Sequence, residues 1–227
     1  MTMKKGKFIV IDGTDGSGKA TQVGILEERL KKEGYDVAVI DFPRYGHPAA
    51  YFVEKYLNGE YGGVEEVGPK MGSTFYALDR FDAKPETKKF LEQGKIVLAN
   101  RYVSASMGHQ GSKISDLNKR KDFLDWLYEL EYDILQIPKP EANIILHVTA
   151  DISQKLVDKK GHRDYVGGEK RDLHEGNLEH LKAAEATYLQ IAKDYPDFDL
   201  IECVKDGEIM TREDIHELIW AKVKELL

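Results

Sequence analysis

The run Phe8-Ile9-Val10-Ile11-Asp12-Gly13-Thr14-Asp15-Gly16-Ser17-Gly18-Lys19 decides the fold. Its consecutive apolar residues, 8 to 11, read as a strand buried on both faces. Glycines at 13, 16 and 18 mark a turn, and a helix is predicted from about Lys19 to Lys32, with Val23, Leu26 and Leu30 on one face and Gly34 as its stop. Between such a strand and helix, successive backbone N–H groups converge on an anion, and the helix N-terminus adds the positive end of its dipole. The spacing matches the G-x4-G-K phosphate loop, in which the lysine, here Lys19, supplies a cation for the β- and γ-phosphates. Gly13, Thr14, Asp15, Gly16, Ser17, Gly18, Lys19, Ala20 and Thr21 are therefore the expected nucleotide-binding residues. The hydroxyl that usually follows the lysine is missing: Ala20 stands there, and Thr21 points about 100° further round the helix. A Mg²⁺ ion would then rest on phosphate oxygens, water and a carboxylate, with Asp15 the nearest candidate and Asp12 the next.

Working outward, strands and helices alternate, which predicts an α/β fold with a parallel sheet covered by helices on both faces. Further strands are expected at Val37 to Ile40, Ile96 to Ala99, Asn143 to Val148 and Leu200 to Val204. Helices are expected at about Ala49 to Leu57, Met71 to Glu92, Leu117 to Leu135, Glu175 to Ala192 and Glu213 to Leu226. The Leu117 helix carries Leu124, Leu127, Tyr128 and Ile134 at helical spacing. From about Asp158 to Arg171 runs a polar segment rich in glycine and charge, with no apolar period. No internal repeat or linker divides the chain, so one domain over residues 1–227 is expected.

At 227 residues, with 41% hydrophobic and 10% aromatic residues, the chain is long and apolar enough for one substantial core. A net charge of −7 argues against nucleic acid as a partner. The single Cys203 excludes an internal disulfide, and no run of about 20 apolar residues is present to cross a membrane. A cytoplasmic protein is the expectation. A regulatory GTPase is disfavoured: Asn118-Lys119-Arg120-Lys121 lacks the aspartate that reads guanine, and no D-x-x-G follows the second strand.

The segments Asp12 to Gln22, Phe42-Pro43-Arg44-Tyr45-Gly46, Tyr76-Ala77-Leu78-Asp79-Arg80, Asn100-Arg101-Tyr102 with His109-Gln110-Gly111, and Asp172-Leu173-His174-Glu175 occur in an order that resembles the thymidylate (dTMP) kinase family. The resemblance implies a three-layer P-loop fold of about five parallel strands, with a lid at about 158–172. It implies transfer of the γ-phosphoryl group of ATP to dTMP with Mg²⁺, and commonly a homodimer. Kinases of the same class acting on dUMP or UMP, and a P-loop protein impaired in catalysis, are the alternatives.

The resemblance also implies roles. Tyr76 and Arg80, four apart on a predicted helix, share a face, so the ring can stack on a pyrimidine while Arg80 donates to a base carbonyl. Phe42 packs on the base's other side, Arg44 and Tyr45 lie near the dTMP phosphate, and Arg101 holds that phosphate through a forked pair. Ser106, His109 and Gln110 join the substrate-binding set. His109 stands where tyrosine commonly packs under the deoxyribose, and Asn100 where an aspartate is usual. Phosphoryl transfer needs cations more than a nucleophile, so catalysis is expected from Lys19, Asp15, Arg101 and, because no variable P-loop position is basic, the lid residues Arg163 and Arg171. Asp172, at the lid's end, resembles a carboxylate near the acceptor.

Overall fold

The computed structural model describes residues 5–159 and 178–227. Its centre is a parallel sheet of five strands in the order β2-β3-β1-β4-β5. These strands are β1 (Lys7–Gly13), β2 (Val37–Asp41), β3 (Ile96–Asn100), β4 (Ala142–His147) and β5 (Phe198–Glu202). Side chains alternate across a strand, so β1 sends Phe8 and Val10 into one core and Ile9 and Ile11 into the other. The latter core is closed by α1 (Lys19–Lys32), through Val23, Leu26 and Leu30, and by α8 (Arg212–Lys224), through Ile215, Ile219 and Val223. The former is closed by α3 (Val64–Glu92), α4 (Val103–Gly111), α5 (Leu117–Tyr128) and α7 (Leu178–Asp194), through Ala83, Met107, Leu127 and Ile191 among others. Helices on both faces make the three layers that the alternating pattern predicts.

Helix α1 matches the sequence reading at both ends. Gly34, at φ 90°, donates to Lys31 O at 3.1 Å, and Tyr35 N–H reaches Leu30 O at 3.0 Å, satisfying the last carbonyls. Elsewhere the structure corrects the reading. The helix expected from Met71 begins at Val64 and breaks its regular geometry at Gly68 (φ 68°, ψ 165°), with Pro69 opening the part that follows. A 3₁₀ turn, Pro48–Ala50, leads into α2 (Tyr51–Leu57). The helix expected to run to Leu135 ends as α5 at Tyr128 and continues as a π-helical turn, Glu129–Ile134. There Leu135 N–H bonds Leu130 O five residues back, at 2.9 Å. The wider turn rotates the face, leaving Ile134 64% exposed instead of buried, while Glu131 is fully buried.

Helices α4 and α6 (Ala150–Lys159) were not anticipated. Two glycines and two serines weaken local helix preference in α4, which tertiary contact stabilises instead. At Gly108 a Cβ would fall 2.4 Å from the Tyr188 ring of α7. The strand expected through Val204 stops at Glu202, and Val204 instead opens a short antiparallel ribbon, β6 (Val204–Lys205) with β7 (Glu208–Ile209). The start expected for the lid at 158–159 closes α6, and residues 160–177, with the rest of the expected lid and Glu175, lie outside the described residues. No helix among the described residues is long and apolar enough to cross a membrane.

From β1 the chain winds to β2 and β3 on one side of the sheet, then crosses to β4 and β5 on the other. β1 and β3 therefore flank a topological switch, beyond whose C-terminal ends a crevice opens. Ile11 pairs with Asn100, so Asp12 and Arg101 emerge side by side at its edge.

Candidate active site

The phosphate loop is pressed against the sheet on one side and open on the other. A Cβ on Gly13 (φ 141°) would lie 2.5 Å from Leu146 O, and one on Gly16 (φ 84°) 2.6 Å from Ser153 O. At Gly18 a Cβ would meet nothing within 4 Å. Thr14 Oγ1 and Ser153 Oγ, 3.3 Å apart, brace the loop against α6. Lys19 is buried, its Nζ donating to Thr14 O at 2.8 Å and Gly13 O at 3.1 Å.

In front of this loop lies a cavity of about 390 Å³. Asp15, Gly16, Gly18, Lys19 and Ala20 form one wall, and Phe42 and Tyr45, after β2, a second. Tyr76 and Arg80 reach in from α3, Asn100 and Arg101 from the end of β3, and Ser106, His109 and Gln110 from α4. Four separated stretches named from sequence thus meet at one place. Gly13, Thr14, Ser17, Thr21 and Arg44 are not on its wall. Arg163, Arg171 and Asp172 lie outside the described residues.

Arg101 has a left-handed backbone (φ 66°), an uncommon conformation for a residue with a long side chain, and its N–H donates to Ile11 O at 3.0 Å. Its guanidinium pairs with Asp15 and donates from Nη1 to His109 Nε2 at 3.1 Å. Burial works against that charge, but the carboxylates of Asp15 and Asp12 more than offset it and raise its pKa. Burial and then the Arg101 cation push His109 well below the usual histidine range. Arginine can only donate, so neutral His109 accepts at Nε2 and carries its proton on Nδ1. Asp12, fully buried, accepts from Gly13 N–H at 2.8 Å, Ser104 Oγ–H at 2.5 Å and Tyr188 O–H at 3.1 Å.

Arg44 is occupied elsewhere. Its Nε donates to Asp79 Oδ1 at 2.8 Å and its Nη2 to Asp79 O at 2.9 Å and Asp82 Oδ2 at 2.7 Å. The pairing ties the loop after β2 to α3, one residue before Arg80, and so sets Phe42 and Tyr45 against Tyr76 across the cavity. Arg80 itself is buried and paired with Glu131. Gln110 Oε1 accepts from Lys113 Nζ at 2.7 Å, and Lys113 Nζ also donates to Tyr56 O–H at 2.8 Å.

Asp79, Ser104, Tyr188 and Glu131 escaped the sequence reading. Only Glu131 left a usable signal: it follows Leu127 by four residues and Leu124 by seven, placing a carboxylate on a buried stripe. A carboxylate there calls for a buried cation.

A phosphate loop whose lysine opens, beside a second buried cation, onto a cavity floored by aromatic and arginine side chains defines a P-loop phosphotransferase acting on nucleotides. The thymidylate kinase family model matches residues 11–202. A thymidylate kinase of Mycobacterium tuberculosis is 30% identical over 186 residues, 82% of this chain and 85% of that one. One of Halothermothrix orenii is 30% identical over 222 residues, 97% of each. The solved structure of a thymidylate kinase from Candida albicans, 18% identical, covers 97% of this chain and 92% of its own at a TM-score of 0.74, a likeness of fold. The chain belongs to the thymidylate kinase family, enzymes that phosphorylate dTMP.

Proposed function

We propose that the chain transfers the γ-phosphoryl group of ATP to dTMP, giving ADP and dTDP. The observation that carries this reading is the convergence of Lys19, Arg101, Tyr76 and Arg80 on one cavity. In-line phosphoryl transfer asks for alignment of two polyanions and for cations where charge develops. The acceptor is itself an ionised phosphate oxygen, so no general base is needed. Lys19 and the loop N–H groups hold the donor phosphates. Arg101 holds the acceptor phosphate, oriented from behind by neutral His109. Phe42 and Tyr76 bracket the base, Arg80 donates to thymine O4, and Tyr45, Ser106 and Gln110 complete the pocket. Arg163 and Arg171 carry transition-state charge, with Asp172 near the acceptor. Arg44 acts through Asp79 instead of touching phosphate.

Mg²⁺ fits the donor set. Asn100 Oδ1 is buried with no hydrogen-bond partner among the described residues, and Asn100 and Asp15 both line the cavity. These hard oxygens suit an ion that keeps water and phosphate as most of its ligands. When bound, it would neutralise phosphate charge. Met71, Leu78 and Phe81, exposed along α3 at 52%, 38% and 45%, make that helix the face of a homodimer. Cys203, buried and free, suits a reducing compartment, and we place the enzyme in the cytoplasm.

Phosphorus NMR of ATP, dTMP and Mg²⁺ with the enzyme tests the reaction. ADP and dTDP should grow in equal amounts; ADP without dTDP would make the protein a hydrolase.

A further inference from the structure

The π-helical turn after α5 places a carboxylate where no part of the phosphoryl transfer uses it. Glu131 is 0% exposed, lies 51 residues from Arg80 in sequence and is not among the residues that line the cavity. Arg80 Nε donates to both carboxylate oxygens, at 3.1 and 3.2 Å, and Nη2 pairs with Oε1. Nη2 also donates to Ser106 Oγ at 3.0 Å, and Nη1 to Tyr102 O at 3.2 Å. A guanidinium has five N–H donors and no acceptor. These contacts occupy Nε, both hydrogens of Nη2 and one of Nη1. One N–H on Nη1 remains without a protein partner among the described residues, on a side chain that lines the cavity.

We infer that Glu131 is a positioning residue for acceptor recognition: it fixes the Arg80 guanidinium so that a single N–H is offered to the base. This rests on the reading that Arg80 faces the base of the acceptor nucleotide. A fixed donor pairs with a carbonyl oxygen and leaves an exocyclic amine facing a donor. Glu131 therefore enforces the choice of a 4-carbonyl pyrimidine over a 4-amino one without touching either. The π turn belongs to the same device, since it is the local geometry that carries Glu131 inward while turning Ile134 out.

Glu131→Gln keeps the shape but sets an amide NH₂ among arginine donors. It should raise the dTMP KM by about 10-fold or more and narrow the preference for dTMP over dCMP. The ATP KM should stay near wild type, and kcat should change less than KM. A general loss of packing would instead lower the active fraction for both substrates alike.

Arg80→Met by itself leaves the Glu131 carboxylate buried without its partner, so the double variants Arg80→Met/Glu131→Gln and Arg80→Met/Glu131→Leu accompany it; replacing both charges by apolar groups is the better-tolerated change. In the Arg80→Met background, Glu131→Gln or Glu131→Leu should add little to the dTMP KM, the non-additivity of residues acting as a unit. An equal rise in both backgrounds would overturn the positioning role. A dTMP KM unmoved by Arg80→Met would instead overturn the placement of the base against Arg80. A rise with Arg80→Met but none with Glu131→Gln would overturn only the role of Glu131.

Discussion

Arg101 at the end of β3 is held at once by Asp15 of the phosphate loop and by His109 of α4, whose Nε2 accepts from its Nη1 at 3.1 Å. The two halves of the cavity are thereby fastened together through one guanidinium. Arg101→Lys keeps the charge but not the fork, so it should satisfy Asp15 and lose His109 or the acceptor phosphate. Steady-state kinetics should show kcat/KM for dTMP falling by about 10²-fold, the scale of losing one aligned donor at developing charge. Activity within a factor of about two of wild type would remove Arg101 from the catalytic set.

The proposed mechanism assigns the remaining charge to Arg163 and Arg171 of the lid expected at about 158–172. Arg163→Ala or Arg171→Ala should cut kcat by about 10³-fold or more, as loss of a transition-state arginine does elsewhere. The dTMP KM should change modestly. Wild-type turnover in both single variants would refute a catalytic lid.

Stability should carry a pH signature from His147. Burial lowers its proton affinity, but hydrogen bonds to Glu185 and Glu202 raise it by more, so its pKa lies above the usual histidine value. A raised folded pKa contributes stability that is fully present below the unfolded value of about 6.5 and is lost as pH rises through the folded one. Urea unfolding should find wild type ahead of His147→Gln at acid pH, with the gap shrinking toward alkaline pH. A gap that widens with pH contradicts the assignment.

The exposed stripe on α3 predicts a dimer. Leu78→Glu combined with Phe81→Glu should shift sedimentation from two chains to one without unfolding the protein. Identical sedimentation before and after would place any dimer on another face.

Much of this was written in the sequence because it depends on local spacing. A buried strand, a glycine turn and an amphipathic helix specify the phosphate loop within one short run, and the 76/80 spacing alone puts Tyr76 and Arg80 on one face. What stayed hidden depends on distant partners. Arg44 reads as a phosphate ligand, and its pairing with Asp79 and Asp82 leaves no trace in the local sequence. Helix α4 carries weak helix formers and exists because Gly108 lets Tyr188 close against it. In α6, Ile152 and Leu156 are four apart and pack on the same core, a local signal that the sequence does carry. Glu131 sat on a visible stripe, but its partner lies on another helix and its inward turn depends on a π geometry that periodicity does not announce.

ADP release measured with dTMP, dUMP, UMP, CMP and AMP in turn tests most directly that the cavity between Lys19 and Arg80 is a dTMP site. The expected result is the highest kcat/KM for dTMP, with CMP and AMP far behind. A preference for UMP, or no turnover with any acceptor while ATP still binds, would contradict it.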